Sequence, residues 1–362
     1  MAPTPPLGLI EGFFGKGWHW SDRLAYPAWL KAQGYDFYLY APKEDACLRR
    51  HWQRDWDPAI LTQLQALRQA CRDASIAFGI GLTPMAAHHD YGASRPRLLA
   101  RVRQIEAALA PDIFALLFDD MPSDTPQLAQ LQIAMAHDVA AVSQASRFIL
   151  CPSFYSTDPI LEKVFGAMPT NYWTDLGQGL DSRFNLFWTG PKVCSTDYPL
   201  DHLSWVAEQL GRRPFLWDNY PVNDGKKASD YLYLAPFRGR GQAQAPYLAG
   251  HAVNPMKQPT LSRLPLATLP QAYADADYCA AEAFLPAAKR CVVTELAERL
   301  AQDLPLLAEV GLPNLTPPQR QTLQSHYRPW LDCADDASRG CARELLSWLD
   351  GGYCFDPACL TG

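Results

Sequence analysis

Several features that mark common protein classes are missing from this 362-residue sequence. No window approaches about 18 uninterrupted apolar residues, so no membrane-spanning helix is predicted. The net charge is -6 and no basic run occurs, so we predict neither a nucleic acid nor an anionic membrane as partner. The opening MAPTPPLGLIEG lacks a basic stretch followed by an apolar one, and therefore does not read as a secretory signal.

The cysteines do not form a recognisable metal or disulfide pattern. Ten of them, from Cys47 to Cys359, are irregularly spaced, with no CxxC pair and no histidine spacing typical of zinc. In a chain without a secretory signal we interpret them as free thiols of a reducing compartment, and we predict a cytoplasmic protein. Their even number keeps disulfides open as an alternative, as does a leader peptide lying outside this sequence.

Signature motifs of several enzyme classes are also absent. The sequence has no G-x-S-x-G elbow, no H-E-x-x-H, no Walker loop and no G-x-G-x-x-G. His88-His89-Asp90 is a candidate metal cluster, but adjacent histidines on a loop rarely face one ion. We predict that no metal is bound there.

Eight short apolar runs, rich in branched or aromatic residues, alternate with helical patterns over the first 255 residues. This alternation predicts a parallel sheet covered by helices, and the count of eight favours a (β/α)8 barrel over a doubly wound sheet. The predicted strands are Leu7–Phe13, Phe37–Pro42, Ala77–Pro84, Ala115–Met121, Arg147–Tyr155, Asn185–Gly190, Pro214–Pro221 and Tyr247–Pro255.

Helix starts and the domain boundary follow from capping and periodicity. Asp57-Pro58, Thr125-Pro126 and Thr316-Pro317 each pair an N-cap residue with a proline at the first helical position. The segment from 161 to 181 has no clear pattern. After about residue 270 only helical spacing is found, so we predict a catalytic barrel over 1–274 and a helical appendage over 275–362.

Polar residues follow most of the predicted strands directly. In a barrel of this kind function gathers at the carboxyl ends of the strands, so these residues are candidates for one site. Taken singly, each would more often cap a turn or a helix. The candidates are Glu11-Gly12, Lys43-Glu44-Asp45, Asp119-Asp120, Tyr155, Asp218-Asn219 with Asp224, and Asn254.

Asp119 and Asp120 are the strongest candidates for catalytic residues. Two neighbouring carboxylates next to an apolar strand repel each other and raise at least one pKa, which provides a general acid near neutral pH. Adjacent strand residues point to opposite faces, so both can serve one site only where the strand ends and the chain turns. A divalent-cation site is the alternative; the nearby Asp124 is better explained as a helix entry.

Six motifs occur in an order that is highly specific as a set: Leu9-Ile-Glu-Gly-Phe-Phe-Gly15, Tyr40-Ala-Pro-Lys-Glu-Asp45, Phe114-Ala-Leu-Leu-Phe-Asp-Asp120, Trp188-Thr-Gly-Pro-Lys-Val193, Trp217-Asp-Asn219 with Asn223-Asp224, and Val253-Asn-Pro255. Together they resemble glycoside hydrolase family 84, the O-GlcNAcases and the bacterial enzymes long called hyaluronidases. The resemblance covers residues 7 to about 270 and implies a retaining exo-β-N-acetylglucosaminidase.

The resemblance also implies residue roles. Asp119 polarises the substrate's 2-acetamido group, whose oxygen attacks to form an oxazoline, and Asp120 is first the general acid and then the base. This substrate-assisted chemistry needs no metal and no other cofactor. Further implied contacts to the sugar, its acetamide or the pocket wall are Gly12, Lys43, Tyr155, Val193, Cys194, Trp217, Asn219, Asp224 and Asn254.

The sequence departs from the family at two positions, and three other functions stay open. Phe14 and Gly225 stand where the family often has tyrosine. Phe14 therefore lacks a hydroxyl near the pocket, and Gly225 opens the wall that would contact the aglycone. The alternatives are a glycosidase acting on cell-wall or hyaluronan-like polysaccharide, a carbohydrate-binding pseudoenzyme on the same fold, and a metal-dependent phosphohydrolase using the aspartate pair. The partner predicted is a GlcNAc-bearing glycoprotein or small glycoside; the oligomeric state is not predictable.

Overall fold

The centre of the protein is a closed barrel of eight parallel strands. The structure, a computed structural model, describes residues 3–122, 125–353 and 355–361. Each strand pairs with the next one along the chain, and β8 returns to pair with β1, so the predicted (β/α)8 class is confirmed. Strands β1 to β8 are Leu7–Glu11, Phe37–Tyr40, Ala77–Leu82, Ile113–Leu117, Arg147–Cys151, Phe184–Trp188, Phe215–Asp218 and Gly250–Val253.

The observed strands end earlier than the apolar runs that predicted them. The run at Leu7–Phe13 is a strand only to Glu11, and the run at Ala115–Met121 corresponds to a strand from Ile113 to Leu117. All five residues of β4 are buried, as expected for a barrel strand covered on both faces. The apolar character continues past the ladder because the turns after the strands are also buried, so hydrophobicity alone misplaces the strand ends.

Helices surround the barrel and join most of the strands. The segment without a clear pattern, 161 to 181, contributes most of two short helices, Ile160–Phe165 and Tyr172–Gly179. The connection from β7 to β8, residues 219–249, instead contains only the 3-10 turns Ala228–Asp230 and Ala245–Tyr247. Helices α1 to α8 are Trp20–Gln33, Pro58–Asp73, Tyr91–Leu109, Leu128–Val142, Ile160–Phe165, Tyr172–Gly179, Leu200–Leu210 and Pro259–Leu266.

The predicted helix starts have different outcomes. Helix α2 begins at Pro58. The predicted start at Thr316-Pro317 is also found, in the helix Pro317–Tyr327, where Thr316 and Gln319 form a reciprocal capping box. The start at Thr125-Pro126 is wrong: α4 begins at Leu128, and the Thr125 hydroxyl donates to the Gln127 side chain, 3.2 Å away, instead of capping a helix. Asp124, interpreted as part of that entry, lies outside the described residues.

The remaining helices build a second hydrophobic cluster beside the barrel. It joins the helices between Ala280 and Leu349 with Leu232 and Leu234 of the β7–β8 connection and with Leu261 and Leu264 of α8. The buried Glu344 carboxylate accepts the N–H groups of Thr260 and Leu261, 2.9 Å each, at the start of α8. Helices α9 to α13 are Leu269–Ala274, Ala280–Cys291, Thr294–Pro305, Pro317–Tyr327 and Asp336–Leu349.

The helical region is thus held against the barrel by apolar packing and by the hydrogen bonds that the Glu344 carboxylate accepts from the start of α8. The boundary at residue 274 stays a prediction. Among the described residues, none of the helices combines the length and the apolar character that a membrane span requires.

Candidate active site

The carboxyl ends of the strands surround one cavity on one face of the barrel. All eleven residues singled out for catalysis or sugar binding line it. Their roles stay predictions, but the structure brings the whole set together. These residues are Gly12, Lys43, Asp119, Asp120, Tyr155, Val193, Cys194, Trp217, Asn219, Asp224 and Asn254.

Asp119 and Asp120 lie in the turn that follows β4. Asp120 has a φ of +56°, in the left-handed region that costs a non-glycine residue about 1–2 kcal/mol. The chain has left strand geometry at this point, so both side chains line the same cavity rather than opposite faces of the sheet. The geometric condition for a working carboxylate pair is therefore met.

The two oxygens of the buried Asp119 carboxylate have different surroundings. Oδ2 is bound by the ammonium group of Lys43, which is also buried. Oδ1 is buried and has no hydrogen-bond partner among the described residues. A buried acceptor without a donor costs about 1–3 kcal/mol, which a ligand N–H placed there would recover.

Asp120 has the electrostatics of a general acid. Burial and the neighbouring Asp119 carboxylate raise the pKa of Asp120 to about 6, against the opposing charge of Lys43. The hydroxyl of Tyr155 donates to its Oδ1 at 3.0 Å and fixes the orientation of the carboxyl group. A group with this pKa can both give and take a proton near neutral pH.

A chain of amide groups forms another wall of the cavity. Asn219 Oδ1 accepts from Trp217 Nε1 at 2.9 Å and from Asn254 Nδ2 at 3.0 Å, while Asn219 Nδ2 donates to the Val193 carbonyl at 2.9 Å. The Gly12 N–H donates to Asn254 Oδ1 at 3.2 Å. These bonds set which amide atoms face a ligand.

Gly12 is required by the close approach of an aromatic ring. A Cβ at this position would lie 2.5 Å from Cζ2 of Trp217, well inside contact distance. The Lys43 ammonium group lies above the Trp217 ring, 5.4 Å from its centroid. The glycine therefore lets the indole ring lie against the end of β1, beside the turn that holds Asp119 and Asp120.

Asp224 ties the β7–β8 connection to the loop after β1. Its Oδ2 accepts the N–H of Phe14 at 2.7 Å, and burial raises the pKa of its carboxyl group. Phe14 itself lines the cavity, so a ring without a hydroxyl faces the site. The neighbouring Gly225 adds no side chain to the wall beside Asp224.

Other polar residues at strand ends serve the fold instead. Glu11 is fully buried and paired with Arg23 at 2.5 Å. Asp218 is paired with Arg240 at 2.7 Å and with His251 at 3.0 Å. Burial opposes ionisation of Asp218, but the charges and hydrogen bonds of Arg240 and His251 together outweigh it and hold the pKa of Asp218 well below its usual range.

Sequence reasoning missed several residues at the site. Cys151 and Thr189 line the cavity at the ends of β5 and β6, where the strand-end rule could have found them. Cys359 and Thr361 also line it, and no sequence pattern pointed to them. In the His88-His89-Asp90 segment, where no metal was predicted, the Asp90 side chain accepts the Ala93 N–H at 3.0 Å and caps α3.

An eight-stranded parallel barrel that gathers a carboxylate pair, amides and an indole ring at its strand ends has the design of a glycoside hydrolase. The family described as beta-N-acetylglucosaminidase matches residues 7–305. The chain therefore belongs to the β-N-acetylglucosaminidase family, which confirms the resemblance seen in the six motifs.

Known proteins similar to this chain carry related names. The proteins named Protein O-GlcNAcase from Rattus norvegicus and Mus musculus are each 28% identical over 260 residues, 68% of this chain. The chain spans 28% of the length of these relatives. A mutant of the O-GlcNAc hydrolase of Thermobaculum terrenum has a similar fold, with a TM-score of 0.74 at 24% identity, covering 95% of this chain and 82% of that one.

Proposed function

We propose that the protein removes terminal β-linked N-acetylglucosamine from O-glycosylated proteins, with retention, by substrate-assisted catalysis in the cytoplasm. The family supports the glycoside hydrolase class, and the names of the similar proteins support a glycosylated protein as substrate. The geometry of the aspartate pair supports the reaction path. No other partner is invoked.

The observation that carries the proposal is the unpaired oxygen of Asp119. An acetamide N–H bound to Oδ1 would be polarised by a carboxylate whose other oxygen is already held by Lys43. The acetamide nitrogen becomes positive as its oxygen attacks the anomeric carbon, so the Asp119 charge stabilises the transition state more than the ground state. The substrate thus supplies its own nucleophile, and a second enzymic carboxylate is not needed for that step.

Asp120 has the complementary role. Its protonated form donates to the departing glycosidic oxygen, and its ionised form then takes a proton from the water that opens the oxazoline. A pKa of about 6 makes both forms accessible near neutral pH. Tyr155, bonded to Oδ1, orients this proton transfer.

The direct test is hydrolysis of 4-nitrophenyl β-N-acetylglucosaminide in a chelating buffer, with the anomer of the first product followed by NMR. We expect release of 4-nitrophenol and the β-anomer, and release of N-acetylglucosamine from an O-glycosylated peptide. Activity lost with the chelator and restored by a divalent ion would refute this function in favour of the metal-dependent alternative. Sugar binding without turnover would favour a pseudoenzyme, and turnover of polysaccharide alone would favour that substrate class.

A further inference from the structure

The cavity at the strand ends is closed on one side by residues that follow the last helix. Cys359 and Thr361 line the same cavity as Asp119 and Asp120. We call residues 355–361 the plug segment. It approaches the loop after β1 as well, where Asp356 Cβ lies 3.8 Å from the position of a Cβ on Gly15.

The plug segment is shaped by local hydrogen bonds. The Asp356 side chain accepts the N–H of Ala358 at 2.9 Å, and the Asp356 carbonyl accepts the N–H of Cys359 at 2.9 Å. This tight turn bends the chain, so Cys359 and Thr361 line the cavity while Leu360 between them is 57% exposed. Alternate residues thus face the site and the solvent.

The plug segment contacts the catalytic groups. The Thr361 side chain is a polar neighbour of Tyr155 in the same cavity, and the Tyr155 hydroxyl donates to Asp120. The free volume left in the cavity is about 50 Å³. A cavity of that size holds a few water molecules, whereas ligand pockets measure roughly 300–1,000 Å³. We therefore expect a pyranose ring and the plug segment to compete for the cavity.

We propose that the plug segment is an intramolecular competitive inhibitor, which has to leave the cavity before a sugar can bind. Neither hydrophobic cluster of the protein includes a residue of 355–361, so the segment can move without opening the core. Competition of this kind multiplies KM by one plus the ratio of closed to open molecules and leaves kcat unchanged. The competition with sugar rests on the proposed function; the seating of the segment does not.

A matched pair of variants of the whole 362-residue chain tests this. Thr361→Glu brings a carboxylate next to the aspartate pair and repels the segment from the cavity, whereas Leu360→Glu adds the same charge to a side chain that points outward. For Thr361→Glu we expect a KM lower by roughly 2- to 10-fold, the effect of losing one polar contact, at unchanged kcat. Leu360→Glu should match the wild type. An unchanged or raised KM in Thr361→Glu would overturn the competition.

A second readout does not depend on catalysis. The rate at which N-ethylmaleimide labels Cys359, followed by peptide mass spectrometry, should rise in Thr361→Glu but not in Leu360→Glu, with the exposed Cys279 as internal reference. Equal Cys359 labelling in all three proteins, at the rate of Cys279, would overturn the seating of the segment. If Cys359 labelling rises in Thr361→Glu alone but none of the three proteins hydrolyses the glycoside, the proposed function is wrong, whereas the position of the plug segment in the cavity is supported.

Discussion

Replacing Asp120 by asparagine should damage catalysis in proportion to how much help the leaving group needs. General acid catalysis contributes about 10²–10⁴-fold. A 2,4-dinitrophenolate departs without a proton, so Asp120→Asn should keep nearly the wild-type kcat/KM for that glycoside, while its kcat falls because the base that opens the oxazoline is also lost. For a 4-methoxyphenyl or alkyl glycoside the same variant should lose most of that factor.

The raised pKa of Asp120 sets how much of this residue is protonated, and so able to act as an acid, at pH 7. With a pKa of about 6, Asp120 is protonated in roughly 9% of molecules at pH 7, whereas an ordinary aspartate of pKa 3.8 would be protonated in roughly 0.06%. The shift therefore increases the active acid about 100-fold. Because the reaction needs the protonated form, kcat/KM should fall as the pH rises above about 6, and this alkaline limb should vanish in Asp120→Asn.

The assay is a leaving-group series of aryl and alkyl N-acetylglucosaminides, run across pH on the wild type, Asp120→Asn and Asp119→Asn. Asp119→Asn is the matched control because it makes the same chemical change one residue away. The assignment of roles is wrong if both variants show the same dependence on leaving-group pKa, or if Asp119→Asn shows the steeper one.

Other consequences of the structure can be measured separately. Asp119→Asn should lower kcat/KM by a similar factor for every leaving group, because the acetamide needs its charge whatever departs; a factor that tracks leaving-group pKa would contradict this. Lys43→Met removes the cation that lowers the pKa of Asp120, so the alkaline limb should move to higher pH, and a limb moving downward would disprove the electrostatic account. Burial raises the pKa of Glu344 from 4.5 to about 7, so the folded state holds its proton longer than the unfolded state. The free energy of unfolding should therefore drop by about 3 kcal/mol as pH rises from 4.5 to 7, and denaturant titrations of Glu344→Gln should lack this drop.

The sequence was sufficient to predict the architecture and the residues around the cavity because the two are linked. In a parallel barrel the strand ends must converge, so a polar residue that follows an apolar run, such as Lys43 or Asn254, is placed near the others by topology alone. The same rule could not separate Asp218 and Glu11 from the site, because their buried arginine partners are distant in sequence. It also could not foresee Thr361, whose position depends on a turn with no apolar periodicity.

The most direct test of the account is the response to fluorination of the substrate's acetyl group. Each fluorine lowers the nucleophilicity of the acetamido oxygen, which Asp119 is proposed to activate. Measured in a chelating buffer, kcat/KM for aryl glycosides should fall steadily from the acetyl through the monofluoro and difluoro to the trifluoroacetyl substrate. Rates that do not change along this series would contradict the oxazoline mechanism and require a nucleophile from the enzyme.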